Sequence, residues 1–184
     1  KEKFYEYIQK FGFGTKTGID LPGEVPGLLR PVQSWTRVDA STVAFGQGIS
    51  VTAIQLITAL SAVANGGVLM KPYIVRAIVD RKGRIIQSNS PQPVRRVISP
   101  ATARRLTAIM KDVVGEEDGT GKRARIEHVN VAGKTGTSQK YDAARRAYSS
   151  ERVRTSFLGF FPAEDPQVAI LITSALGSLG LTVW

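Results

Sequence analysis

Hydrophobic and polar positions fall in blocks whose period changes along the chain. Phe4, Ile8 and Phe11 recur at helical spacing, and Gly12 and Gly14 close that helix. A loop rich in glycine and proline follows, "GIDLPGEVPGLLRP". From Val51 to Ala64 the residues are apolar nearly all round a helix, which predicts a helix deep in a core. Thr52 with Gln55 three residues on has the form of a capping box, and Asn65-Gly66-Gly67 is the stop. "PYIVRAIV" and "GRIIQS", joined by Asp80-Arg81-Lys82-Gly83, read as a hairpin. Ser99-Pro100 supplies an N-cap and a first-turn proline. The helix after it is expected to carry Leu106, Ile109, Met110 and Val113 on one face and to end at Gly115. "GEEDGTGKRAR" reads as a flexible connection. Strand and turn then alternate: "HVNVAGKTGTSQ", a polar loop from Lys140 to Arg152, "TSFLGFF", the turn "PAEDP" and "QVAILIT". The pattern predicts an α+β fold with two or three adjacent antiparallel strands near the C-terminus.

Composition narrows the chemistry. The 184 residues suffice for one domain with a full core, and 42% hydrophobic with 22% charged residues is ordinary for a globular protein. The longest apolar run, Val51 to Ala64, is shorter than the ~18 residues of a membrane span and is interrupted by Thr52, Gln55, Thr58 and Ser61. Without cysteine there is no disulfide, zinc-thiolate or cysteine nucleophile. The single histidine, His128, excludes a multi-histidine metal site. A net charge of +10 fits an anionic surface or substrate, nucleic acid, or simple solubility. Scattered basic residues without a zinc-finger or RNP-like motif argue against nucleic acid. The chain opens on "KEKFYEYIQKFGFG" rather than Met, already a helix in progress, so a missing N-terminal part is expected.

Two KTG triplets compete for attention. Around Gly133-Lys134-Thr135 a phosphate loop would need a glycine where His128 stands, so nucleotide binding fails the pattern. Lys16-Thr17-Gly18 lies in a loop closed by Pro22 and Pro26 and reads as a turn. Lys134-Thr135-Gly136-Thr137 instead continues the alternation of Val129 and Val131, and is expected on a strand. A strand edge offers N–H and C=O groups to an extended ligand, and Gly136 lets another backbone come close. Thr135 and Thr137, two apart, share a face and can donate hydroxyl hydrogen bonds to an anion; Lys134 projects to the other face. A half-buried polar strand with no ligand is the alternative reading.

"AGKTGTSQ" resembles the K-T-G signature of penicillin-binding proteins and serine β-lactamases. "FGFGTKTGIDLPGE", "AFGQGISVTAIQLITALSAVANGGVLMKPYIV", "GTGKRA" and "TSFLGFFPAEDP" resemble landmarks of class B penicillin-binding proteins, in family order over residues 1 to 173. The resemblance is strongest to the division and elongation types. It implies a β-lactamase/transpeptidase-like antiparallel sheet flanked by helices, and makes the early T-G-I-D segment a structural loop. It also implies a D,D-transpeptidase whose serine attacks the D-Ala-D-Ala of a peptidoglycan stem peptide, with β-lactams acylating the same serine and no metal or cofactor. On this reading Thr135 and Thr137 hold the substrate carboxylate and Lys134 steers it. Gly136 keeps the approach open, and the Thr137 N–H supplies half of an oxyanion hole. Gln47 and Gly48 in "FGQG" are weaker candidates, Gln47 having helix capping as its other reading.

The family's Ser-x-x-Lys and Ser-x-Asn motifs are absent from the sequence; Ser149 comes nearest to the first, but Arg152 takes the lysine's place. Both precede the "FGFG" segment in the family. Residues 1–184 are therefore expected to be the C-terminal portion of a transpeptidase domain, without the opening strands and nucleophile helix, and inactive alone. A free strand edge is expected to invite dimerisation or swapping. The last stretch, "SALGSLGLTVW" over 174–184, departs from the family pattern. Expected partners are stem peptide, β-lactams, other cell-wall synthesis proteins and the membrane, through a missing anchor, with the domain on the periplasmic side of the bacterial inner membrane. A β-lactam or cell-wall-peptide sensor is the alternative; a β-lactamase fits the "GFGTKTGIDLPGE" and "FGQGISVTAIQL" landmarks less well.

Overall fold

The computed structural model describes residues 1–142 and 147–175. Helix α1 (Glu2–Lys10) buries Ile8 and sets Phe4 and Tyr5 edge-on against Trp35, with ring centroids 6.4 and 5.4 Å away. Ile8, Val32, Trp35 and Val43 form a first apolar cluster. Helix α2 (Arg37–Ala44) starts with a capping box the sequence pattern did not suggest. The Asp39 carboxylate accepts from the Thr36 N–H and Oγ1 and pairs with Arg30.

Helix α3 (Ala53–Ala64) has the capping box expected from Thr52 and Gln55 and stops at Asn65. Gln55 does more than cap. It is 1% exposed, and its Nε2 donates to the carbonyls of Thr15 (2.7 Å) and Pro26 (2.9 Å) while Oε1 accepts from the Thr52 N–H. One buried amide thus ties the helix start to both arms of the early loop. Within that loop the threonine and glycine of the first KTG are engaged. The Thr17 N–H and hydroxyl donate to Glu24 at 2.6 Å, and Gly18 N–H donates to its other oxygen. Asp20 takes the N–H groups of Ile74 and Val75.

The predicted hairpin is shorter than "PYIVRAIV" suggests. Strands β2 (Ala77–Val79) and β3 (Ile85–Ser88) pair antiparallel, but Ile74 and Val75 lie outside them because Asp20 has taken their donors. Both strands are exposed, with Ile85 at 66% and Ile86 at 68%. Flanking them, β1 (Val68–Lys71) pairs with β4 (Gln92–Arg96), so the hairpin projects from a second two-stranded ribbon.

Helix α4 (Pro100–Gly115) is capped by Ser99, whose Oγ accepts from Thr102 N–H. Its buried line is Ala103 and Val114 with Met110 partly covered, whereas Ile109, expected inward, is 60% exposed. Ala103, only 2% exposed, lies on the covered side of the helix, and Ile109 does not. The following segment is packed rather than a free connection. Gly121 N–H returns to the Val113 carbonyl, and Arg125 closes the helix end by donating to Val114 and Gly115 carbonyls.

Strands β5 (Ala132–Asp142), β6 (Ala147–Phe161) and β7 (Val168–Ala175) form an antiparallel sheet in that order. Ala132 and Phe160, both fully buried, pack with Leu60 and Ala163, and Met110 joins them. This is the junction of α3, α4 and the sheet. The strand expected from His128 begins at Ala132 because His128 adopts φ 62° and Ile126 bridges Val129 in a turn. The polar loop expected from Lys140 to Arg152 is largely strand: pairing resumes after an irregularity at Gln139/Tyr141 and links Asp142 to Ala147. Of the unusual C-terminal stretch, 176–184 lies outside the described residues. Among the described residues no helix is long and apolar enough to cross a membrane.

Replacing Gln55 by Leu removes three part-buried hydrogen bonds, to the Thr15 and Pro26 carbonyls and from the Thr52 N–H, each worth about 0.5–1.5 kcal/mol. Urea unfolding of the full-length protein should show a loss of about 2–4 kcal/mol. Acid gives a second expectation. Bonds from the Thr36 backbone and hydroxyl, then the Arg30 guanidinium, pull Asp39 down from 3.8 to about 2. A depressed carboxylate stabilises fully above its unfolded value and loses this as pH falls through the folded one. Melting temperatures between about pH 5 and 2.5 should fall further for the parent than for Asp39→Asn.

Candidate functional site

The second KTG lies on β5, whose register on β6 is unbroken from Ala132↔Phe160 to Gln139↔Val153. Lys134 faces Leu158, Thr135 faces Phe157, Gly136 faces Ser156 and Thr137 faces Thr155. With no irregularity in this span, side chains alternate strictly. Thr135 and Thr137 share one face; Lys134, Gly136 and Ser138 belong to the other. Among the described residues β5 pairs only with β6, so its far edge is open.

Glycines make this strand possible. A Cβ on Gly133 would stand 2.4 Å from Cζ of Phe157, and one on Gly159 would stand 3.0 Å from its Cε1. The phenyl ring therefore lies across both glycines on the threonine face. On the other face, a Cβ on Gly136 would meet the Ser156 hydroxyl at 2.6 Å. Gly136 leaves that surface as bare backbone.

Thr137 is exposed, and its hydroxyl has no hydrogen-bond partner among the described residues. Thr135 is half-buried, with its Oγ1 3.0 Å from Oγ1 of Thr120 in the loop after α4. Lys134 is exposed and lies along the strand, its Nζ donating to the carbonyl of Thr135.

Beside Gly136 and Thr137 runs a cleft of about 420 Å³, walled on the other side by the segment from Phe45 to Val51. Gln47 and Gly48 line it; capping of α3 belongs to Thr52 and Gln55, so that reading of Gln47 is set aside. The cleft also takes in Ser138, Arg154, Ser156 and Thr173, and among the described residues no acidic side chain lines it. Cationic Arg154 and nearby Lys134 give the surroundings an anion-accepting character. Among the described residues no cluster of His, Asp and Glu could hold a metal ion. Sequence reasoning missed Thr120, Arg154 and Phe157. Glycines on both sides of Thr120 and the paired Gly133 and Gly159 are the signals for two of them; Arg154 sits in a basic stretch that hides it.

Residues 1–178 match the family described as the penicillin binding protein transpeptidase domain. Stage V sporulation protein D of Bacillus subtilis is 43% identical over 173 residues, 94% of this chain and 26% of that protein. PbpB, a penicillin-binding protein of Mycolicibacterium smegmatis, is 38% identical over 174 residues, 92% of this chain and 27% of that protein. The chain thus spans about a quarter of the length of these curated relatives. In three dimensions it is similar to penicillin binding protein 3 of Mycobacterium tuberculosis complexed with ampicillin. The TM-score is 0.90 at 32% identity, covering 95% of this chain and 40% of that one.

Gly133→Ala should force the Phe157 ring away and destabilise the protein by about 1–3 kcal/mol. Adding Phe157→Ala should remove most of that extra penalty. Comparing thermal melting of the single and double variants checks this, and purely additive losses would count against the ring-over-glycine packing.

Proposed function

This chain belongs to the penicillin-binding protein transpeptidase family, and we propose that its β5 edge is the anion- and oxyanion-binding side of a serine-type D,D-transpeptidase site. One observation carries the proposal: Thr135 and Thr137 share a face on a strand edge that is open among the described residues, flanked by Lys134 and a cleft lined by Arg154. Two hydroxyls and a cation suit a carboxylate such as the C-terminus of a D-Ala-D-Ala stem peptide or that of a penicillin.

In this reading the nucleophilic serine comes from elsewhere in the full-length protein, since the chain has neither Ser-x-x-Lys nor Ser-x-Asn. The serine oxygen attacks the penultimate D-Ala carbonyl, the carbonyl oxygen takes up negative charge, and D-Ala leaves with the proton lost by the serine. An amine on a neighbouring stem then attacks the acyl-serine ester, the ester bond breaks, the serine oxygen takes the amine's proton, and the new amide is the cross-link. The backbone N–H of Thr137 faces the developing oxyanion. Support comes from Lys134 reaching the Thr135 carbonyl, which marks residue 135 as presenting its backbone to the open side. Backbone direction alternates along an antiparallel strand, so residue 137 presents its N–H to the same side. An oxyanion donor of this kind lowers the barrier by about 3–4 kcal/mol. A β-lactam fits as a substrate mimic, in keeping with the ampicillin complex of the structural relative. The transpeptidase match favours catalysis over a sensor role. The protein would work on the extracytoplasmic side of the bacterial inner membrane, anchored by a segment outside this sequence and alongside other cell-wall synthesis proteins.

The test is the acylation rate of the full-length protein by a fluorescent penicillin. Thr137→Val should lower it about 10- to 100-fold, in line with loss of a hydrogen bond to a charged group. Thr17→Val, in the first KTG, should leave the rate of folded enzyme unchanged. Residues 1–184 alone should take up no label. A parental rate in Thr137→Val would overturn the site; a stoichiometric adduct on residues 1–184 would overturn the external serine.

A further inference from the structure

Thr120 occupies a loop built to hold it still. A Cβ on Gly119 would lie 2.5 Å from the Val113 carbonyl oxygen, and one on Gly121 3.1 Å from the same atom. The backbone on both sides of Thr120 is therefore pressed against the last turn of α4. Gly121 N–H donates to that Val113 carbonyl at 2.9 Å, and Ala124 N–H donates back to Gly121 at 2.8 Å. The helix end is itself seated on the sheet, with a Val114 methyl 3.1 Å from where a Gly133 Cβ would be. Sheet, helix and loop form a closed circuit that returns to β5 through one contact, Thr120 Oγ1 to Thr135 Oγ1 at 3.0 Å.

A pair of hydroxyls has two protons, and one is used between them. If Thr135 donates to Thr120, it has no proton left for an anion. If Thr120 donates, the Thr135 proton is free for the open edge, and its donor strength is raised by the bond it accepts. We propose that Thr120 is a positioning residue for the anion subsite: it fixes the Thr135 side chain and donates to it, so that the Thr135 proton is directed at the ligand carboxylate. This rests on the function proposed above and extends it to a residue that does not itself touch the ligand.

The experiment uses the full-length protein with a penicillin and the methyl ester of the same penicillin. Variants are Thr120→Val, Thr120→Ala, Thr120→Ser, Thr135→Val and Thr120→Val combined with Thr135→Val. Losing the Thr120 hydroxyl should slow acylation by the free acid about 5- to 20-fold and that by the ester much less. Thr120→Ser should restore the rate. The double variant should be no slower than Thr135→Val, because Thr120 acts through Thr135. Thr120→Ala keeps the test open if the branched replacement fails to fold. Equal losses for acid and ester, or additive losses in the double variant, overturn the positioning role. A parental rate in Thr135→Val instead overturns the underlying reading of the edge, whereas a slow Thr135→Val beside an unaffected Thr120→Val and Thr120→Ala overturns only this inference.

Discussion

A single register between β5 and β6 governs the geometry of this molecule. Sliding β5 by one residue would exchange the faces of Thr135 and Thr137 with those of Lys134 and Gly136. Three contacts oppose such a slip. Phe157 lies across Gly133 and Gly159, positions where any side chain would collide with the ring. Ala132 and Phe160 are sealed beneath Leu60. Ser156 occupies the space beside Gly136. The polar edge is thus aimed by apolar packing at one end of the strand and by the absence of side chains further along.

The second support is the buried amide of Gln55. It holds the start of α3 against the carbonyls of Thr15 and Pro26, and the segment preceding α3 forms the far wall of the cleft. Asp20 continues the chain of ties by taking two backbone donors at the base of the hairpin. The first KTG triplet belongs to this scaffolding. Its threonine and glycine spend their donors on Glu24 and have none left for a ligand.

Local signals were legible in the residues and long-range ones were not. Capping boxes, glycine stops and the strand character of Lys134 to Thr137 depend on neighbours a few positions away, and the α3 cap, the α3 stop and the KTG strand stand as read. The pairing of β1 with β4 joins segments some twenty residues apart across a hairpin, and nothing in "VLMK" or "QPVRR" names the partner. Helix α4 shows the same limit. Its larger side chains suggested one face, but the small Ala103 is buried where the large Ile109 is not. For the site, the threonine edge could be read from alternation, while Thr120 reaches it only through the fold-back of a loop that looked like a free connection. The resemblance to class B penicillin-binding proteins carried the family and fold further than periodicity could, and the match over residues 1–178 agrees with it.

The projecting hairpin has a consequence for handling the protein. Its two short strands have unpaired margins and solvent-facing isoleucines, the ingredients of ribbon-on-ribbon stacking between molecules. Around them stand Arg76, Arg81, Lys82 and Arg84, against Asp80 in the turn and Asp20 at the base. Two copies approaching through this ribbon bring like charges together, so repulsion keeps them apart while the aliphatic rows stay uncovered. Concentrated salt screens that repulsion over a few ångströms and leaves the aliphatic attraction intact, making ionic strength the variable that sets colloidal behaviour at this end of the molecule.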